Sequence, residues 1–484
     1  MADSDSPKRG TLTARKTAAT TSTTASGTGA RTGPRARLAQ ERARQAPPAP
    51  PAPSPAPASK PRPTAKRAPP RPRPPQDTKR DKPRHDAPAQ RNPRPRSEPQ
   101  AQPREIRYFA PCPRGLEAPL QTELRALGAP QARIVAGGVS FTGDRDLGWR
   151  ANLYSRIASR VLREIAHFPY KDEHEIYDRA HALDWTRYFD VERTIKVEIA
   201  ARKASVRSLE FTALRIKDAI CDAFREKTGI RPDVETSRPD VRVHAFLDDR
   251  YATLYLDTSG EALFKRGWRH GAVEAPLREN LAVGMLALSG WKPGMPLVDP
   301  FCGGGTLAIE AAQITQGRPP GAWRHFGFEH FTDFDAAAWD AMRHQDAPLE
   351  VPLPIHASDV AQAAVDIARG NAKRAGTPIE FSVTDARTIS PPGDTPGLMI
   401  GNPPYGERAQ FNAVDGTLID ADTFWAEFAA NLKRAWGGWR VALISSDLDL
   451  PKRLRLAPST KLALYNGALE CRLFVFDIVT GANR

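Results

Sequence analysis

Leucines at 116, 120, 124 and 127 recur at helical spacing and predict a helix over 115–127, closed by Gly128. Around it, 108–110 reads as a strand, 134–141 as a hairpin or bulged strand carrying Gly137-Gly138, and 146–161 as a second helix. Further on, Ile195, Val197 and Ile199 alternate with polar residues, the period-two pattern of a half-buried strand over 194–200. Ile216, Ile220, Ala223 and Phe224 share one face of a predicted helix over 213–227, stopped by Gly229. Two more strands, 241–246 and 252–256, flank Asp248-Asp249.

From about residue 275 the pattern changes. Helices at 276–288, 307–314, 362–375 and 423–435 alternate with strands at 297–299, 355–359, 379–383, 398–400 and 439–444. That alternation predicts a parallel sheet with helices on both faces. Strands 461–465 and 472–478 lack an intervening helix, and Asn466-Gly467 between them signals a hairpin, hence an antiparallel ending.

Composition splits the chain. Residues 1–104 hold 22 prolines and 23 basic against 7 acidic residues, a net of +16, whereas the full 484 residues carry only +14. The basic character belongs to a tail too poor in apolar surface to offset chain entropy, so 1–104 is expected to be disordered. It reads equally as an arm tracking RNA phosphates or as a solvated extension. The remainder, at −2, is not a basic nucleic-acid-coating module. Cys112, Cys221, Cys302 and Cys471 are far apart, with neither disulfide nor zinc spacing, which suits a cytoplasmic protein without a metal site. No apolar run approaches membrane-spanning length and no secretory signal opens the sequence. Basic residues Arg202, Lys203 and Arg207, and the run Lys265, Arg266, Trp268, Arg269 and His270, suggest a rim for RNA or scattered surface charge. The aromatic-rich segment 321–339 reads as packing over a helix rather than as a substrate entrance.

The candidate chemistry follows the strand ends. Asp299-Pro300-Phe301-Cys302-Gly303-Gly304-Gly305-Thr306 leads from a strand into a helix, exposing backbone N–H groups where an anionic group is favoured. It matches neither a P-loop nor a dinucleotide fingerprint. Asp359 ends the next strand, where an acid accepts ribose hydroxyls, and Asp385 follows the third, within reach of an adenine amino group. Asn402-Pro403-Pro404-Tyr405 follows the fourth strand. Prolines fix φ and extend the residue before them. The Asn402 side-chain carbonyl and the Pro403 backbone carbonyl can thus face an exocyclic amine, with Tyr405 as a stacking face.

In order, DPFCGGGTLAIEAA, ASDV, VTDA and GNPPYGER resemble the motifs of class I S-adenosylmethionine-dependent amino-methyltransferases. VRSLEFTALRIKDAICDAF and DTSGEALFKRGWR look like a THUMP RNA-binding domain, and RGLEAPLQTELRALGA with VAGGVSF looks like the ferredoxin-like segment that precedes it. The similarity spans 107–484 and is strongest to the N-terminal half of the bacterial 23S ribosomal RNA guanine-N2-methyltransferases. It implies a Rossmann-like α/β methyltransferase domain at 275–484, with parallel sheet and antiparallel final strand. Before it would come a disordered tail (1–104) and α+β ferredoxin-like (105–165) and THUMP (166–270) modules. It implies S-adenosylmethionine as cofactor, held by Asp299, Phe301, Gly303, Gly305, Thr306, Asp359, Asp385 and Asn402. Asn402, Pro403, Pro404 and Tyr405 would hold the target base. The implied partner is RNA, 23S ribosomal RNA or a large-subunit precursor, methylated at guanine N2. A transfer RNA guanine, adenine N6 in DNA, a protein glutamine amide, or a non-enzymatic RNA-binding or ribosome-assembly role are the alternatives. Some members carry a second methyltransferase domain; with the sequence stopping at Arg484, a second activity is not expected.

Overall fold

Two seven-stranded sheets organise the protein. The computed structural model describes residues 105–271, 277–345, 348–405 and 410–479, all within the unit Arg96–Arg484. The tail at 1–104, expected to be disordered, lies outside the described residues, as does Pro276.

The first sheet is built from β1 (Ile106–Pro111), β2 (Arg133–Val135), β3 (Gly138–Gly143), β4 (Leu162–Pro169), β5 (Ile195–Ala201), β6 (Val241–Leu247) and β7 (Tyr251–Asp257). Helices α1 (Glu117–Ala126), α2 (Arg145–Tyr154), α3 (Glu173–His181) and α4 (Leu209–Thr228) accompany it. The strand order is β2-β3-β1-β4-β7-β6-β5, and only β5 and β6 pair in parallel. α1 buries Leu120 and Leu124, and Leu116 just before it is buried too, as the leucine spacing predicts. α4 begins earlier than expected because the Ser208 side chain accepts from the Phe211 N–H, a helix N-cap.

Two elements depart from the expectation. The helix expected over 146–161 stops at Tyr154, with Ser155 already extended at ψ 124°, and β4 follows. β4 pairs with β1 at Tyr108↔Arg163 and with β7 from Leu162↔Asp257 to Pro169↔Tyr251. A register shift between Glu164 and Ala166 interrupts its alternation, which hid the strand from a period-two reading. β4 thereby fuses the first two modules into one sheet. α3 also lacked a strong signal, since it buries only Ile176 and Ala180; Asp172 caps it by accepting from the His174 and Glu175 N–H groups.

The second sheet contains β8 (Leu297–Asp299), β9 (Ile355–Asp359), β10 (Glu380–Val383), β11 (Leu398–Gly401), β14 (Arg440–Ser445), β15 (Thr460–Asn466) and β16 (Leu469–Asp477), in the order β10-β9-β8-β11-β14-β16-β15. Strands β12 (Phe411–Asn412) and β13 (Leu418–Ile419) form a separate small pair. Helices α5 (Glu279–Leu288), α6 (Thr306–Thr315), α7 (Ala336–Arg343), α8 (Gln362–Ala375), α9 (Ala421–Ala435) and α10 (Leu450–Leu454) connect and flank it. β10, β9, β8, β11 and β14 run parallel, and β16 is antiparallel to both β14 and β15. The turn between β15 and β16 consists of Gly467 and Ala468, with Gly467 at φ +67°. Asn466 is therefore the last strand residue, opposite Leu469, and not a central turn residue.

Aromatic and ionic contacts lock the first sheet to the second. Within 321–339, Phe326, Phe328, Phe331 and Trp339 are buried. Trp149 of α2 stacks on Phe328 at 5.3 Å and meets Trp339 edge-on at 6.1 Å. The segment thus packs, as expected, but against α2 of the first sheet. Glu310 of α6 is fully buried and accepts from Arg156 Nη1 (3.2 Å) and Arg266 Nε (3.1 Å). Trp268 and Arg266 are themselves buried, at 2% and 1% exposure, so they are not part of an RNA-facing rim. Lys265 and His270 of that run are exposed. The four cysteines are free thiols. Among the described residues, no helix is long and apolar enough to cross a membrane. No cluster of three or more His, Cys, Asp or Glu there is arranged to hold a metal ion.

Candidate active site

Strand direction sets the site. β8, β9, β10 and β11 run parallel, so Asp299, Asp359, the approach to Asp385, and Asn402 all emerge at one carboxyl edge. β8 and β11 are neighbours, paired at Leu398↔Leu297 and Met399↔Val298, and the order of connections reverses between them. In open α/β sheets such a reversal leaves a crevice at the strand ends.

The turn after β8 is shaped by glycine. Gly303 and Gly305 have φ of +49° and +82°, and a Cβ at Gly305 would lie 3.1 Å from Ala368 Cβ. Gly305 is also the residue that opens α6. The Gly303 N–H donates to Asp359 Oδ2 (2.9 Å) and the Ala361 N–H to Asp359 Oδ1 (3.0 Å). Asp359 thus ties the turns after β8 and β9 together, and each oxygen keeps a lone pair for a further donor. Asp299 is buried. Its Oδ1 accepts from the Phe301 N–H (3.2 Å), and its Oδ2 has no partner. Burial, with a smaller push from Asp359, raises its pKa to about 8. The N–H groups of Phe301, Cys302, Gly303 and Gly305 all donate within the protein, so the turn exposes fewer backbone donors than its sequence suggests, and it is the unpartnered buried Asp299 oxygen that fits the ammonium of an amino-acid end.

Phe301 turns toward Phe424 (6.2 Å) and Phe428 (5.8 Å) and lies over Gly401, where a Cβ would meet its ring at 2.8 Å. The glycine turn and the strand end leading to Asn402 are therefore in contact. Thr306 is buried, and its hydroxyl accepts from Arg269 Nη2 (2.7 Å). Arg269 also donates to Glu279 Oε1 (2.8 Å), whose carboxyl is raised by burial against the pull of Arg269. Sequence reasoning missed this brace, because Arg269 sits in a run that reads as surface charge. Asp385 accepts from the backbone N–H (2.9 Å), Nε (3.1 Å) and Nη2 (2.6 Å) of Arg387. Burial pushes the Asp385 carboxyl up, but the bonds and charge of Arg387 outweigh it and hold the group below its ordinary value. A purine amino group would have to share this carboxylate with Arg387.

At the end of β11, the Asn402 side-chain oxygen is buried without a partner. Pro403 is buried, Pro404 exposed and Tyr405 half-buried. The Tyr405 hydroxyl accepts from Asn466 Nδ2 (3.1 Å), and burial raises its pKa to about 12. Residues 406–409 of the predicted motif lie outside the described residues. A cleft of about 470 Å³ lined by Pro293, Val351 and Pro354 opens at the amino-terminal ends of β8 and β9, away from these groups.

With this geometry in hand, comparison with known proteins is specific. Residues 266–474 match the family model described as an RMKL-like methyltransferase domain, 170–257 the THUMP domain, and 107–162 the RlmL ferredoxin-like domain. A ribosomal RNA large subunit methyltransferase K/L from Syntrophotalea carbinolica is 37% identical over 388 residues, covering 77% of this chain and 54% of that protein. The protein of the same name from Psychromonas ingrahamii is 37% identical over 378 residues, covering 76% and 50%. The chain spans about half the length of these curated relatives. Among solved structures, SMU.472, provisionally described as a methyltransferase and solved with SAH, superposes with a TM-score of 0.69 at 29% identity, over 77% of this chain and 98% of its own. A chain described as a predicted N6-adenine-specific DNA methylase from Listeria monocytogenes gives 0.69 at 27% identity, over 78% and 97%.

Proposed function

We propose, from the premise that this chain belongs with the RMKL-like methyltransferases and carries their THUMP and ferredoxin-like domains, that it methylates the exocyclic N2 of a guanine in RNA. The RNA in this proposal is 23S ribosomal RNA or its large-subunit precursor, supported by the words 'ribosomal RNA large subunit' in the names of the K/L relatives. The cofactor is S-adenosylmethionine. One observation carries the reading: an unpartnered, buried Asn402 oxygen at the same sheet edge as the Gly303–Gly305 turn and the unpartnered Asp299 oxygen.

In this reading Asp299, Gly303, Gly305 and Thr306 hold the methionine end, Phe301 backs the turn, Asp359 takes the ribose, and Asp385 the adenine. Asn402 serves both ligands. Bound S-adenosylmethionine supplies an electrophilic methyl group on a sulfonium. Guanine N2 is a weak nucleophile, because its lone pair is delocalised into the ring. Asn402 Oδ1 and the Pro403 carbonyl accept its two hydrogens, which favours a pyramidal nitrogen with its lone pair directed away from them. Pro404 keeps that carbonyl pair extended. Tyr405 offers the base a stacking face. Orientation and hydrogen bonding, and no covalent step on the enzyme, provide the acceleration. A paired guanine must leave its helix to reach the site.

Asn-Pro-Pro-Tyr would suit any planar amine, and the description of the Listeria structure names adenine N6 in DNA. The THUMP match favours RNA. Labelled methyl transfer to large-subunit RNA, transfer RNA, duplex DNA and protein acceptors tests the choice. Label in N2-methylguanosine is expected; label confined to DNA or protein contradicts the reading.

A further inference from the structure

Asn466 is not required by the turn it precedes. The two central residues are Gly467 and Ala468; glycine at the first of these, with φ +67°, meets the backbone demand of a tight hairpin without help from its neighbour. The Asn466 side chain instead reaches across to the Asn-Pro-Pro-Tyr loop and donates Nδ2–H to the Tyr405 hydroxyl at 3.1 Å. The buried Cys471 thiol faces the same hydroxyl. The hairpin is itself held in place. Arg114 donates to the Tyr465 hydroxyl at 3.2 Å and lies 5.1 Å from its ring centroid. At Gly115 a Cβ would stand 2.5 Å from the Ala463 carbonyl oxygen, so the approach to α1 sits directly on β15.

We propose that Asn466 is a positioning residue for the target base: it pins the tip of the Tyr405 ring to the β15–β16 hairpin, and so fixes the surface on which the base stacks. A tyrosine held only through its own χ angles keeps alternative rotamers. A hydrogen bond at the far end of the ring removes them before RNA arrives. Because the hairpin is braced by the Arg114–Gly115 segment, the base platform takes its position from the first sheet as well as from the catalytic one. The inference rests on the methyl-transfer reading above, but concerns a residue outside the motif.

The test uses the full chain as wild type, Asn466→Ala, Tyr405→Phe and the double variant, with KM for RNA, kcat and S-adenosylmethionine affinity measured for each. Tyr405→Phe keeps the ring and loses only the bonded oxygen. Each single variant should raise KM for RNA about fivefold, the value of one ordinary hydrogen bond, with S-adenosylmethionine affinity unchanged. The double variant should add nothing further. A variant that is merely less folded lowers kcat and binding stoichiometry while KM stays put, so the split separates the two cases. Should Asn466→Ala prove unstable, Tyr405→Phe alone still reads the bond. An unchanged KM in either single variant, or additive effects in the double, overturns the inference. No methyl transfer to RNA by the wild type would overturn the underlying reading together with it.

Discussion

If Asp299 holds the amino-acid end of the cofactor as proposed, it couples cofactor affinity to pH. Its carboxyl is buried, one oxygen lacks a partner, and its pKa rises to about 8. Relative to the unfolded chain, the folded protein binds an extra proton between pH 4 and 8. The stability that Asp299 contributes is therefore complete below its unfolded value and is lost as pH climbs through about 8, on the order of 5 kcal/mol in total. A cationic amino-acid end placed beside it reverses this preference, favouring the carboxylate. Binding then expels a proton, and affinity should tighten with pH. If only the ionised form binds, the dissociation constant falls about fiftyfold between pH 6 and pH 8. The ligand's own amino group titrates near 8, so the readout is the difference between wild type and Asp299→Asn, which keeps the shape without the proton. Titration calorimetry in buffers of differing ionisation enthalpy counts the protons directly. Wild type should release close to one proton per ligand at pH 6.5 and the variant none. Equal proton counts in the two proteins would refute the reasoning.

Three further outcomes are expected. Glu310→Ala leaves Arg156 and Arg266 buried without their shared carboxylate, and should cost about 3–5 kcal/mol in urea unfolding. Asn402→Ala removes an acceptor that the reacting amine needs most in the transition state; kcat should fall about 10²–10³-fold, and the loss of S-adenosylmethionine affinity in calorimetry should be much smaller than that. Gly305→Ala forces a side chain into φ +82° and to 3.1 Å from Ala368; it should cost at least about 1 kcal/mol in thermal unfolding and weaken cofactor binding.

Local sequence carried the catalytic sheet well, because each strand there is a short apolar run closed by a chemically distinctive turn. Asp299 and Asp359 end their strands, Asn402 follows its strand directly, and Gly303 and Gly305 lie in the turn after the first, so reading the strands places the candidate site. Features fixed by distant partners stayed hidden. Arg266 reads as surface charge until Glu310, 44 residues away, is folded against it. Arg269 and Trp268 belong to the same misreading: the partners of Arg269, Glu279 and Thr306, and the burial of Trp268 leave no trace in the local pattern. β4 was lost to its own register shift, which breaks the period-two alternation. The pairing of Asp385 with Arg387 was not legible, because a partner two positions on leaves no periodic trace. Asn466 looked like turn chemistry, and only strand register moved it out of the turn.

The central step proposed is a guanine amine meeting the Asn402 carbonyl. Nucleoside mass spectrometry of large-subunit ribosomal RNA from cells lacking this chain, complemented with wild type or Asn402→Ala, tests that directly. Loss of an N2-methylguanosine that wild type restores and Asn402→Ala does not is the predicted result. N2-methylguanosine unchanged in the deletion, or restored by the variant to the same level, would contradict it.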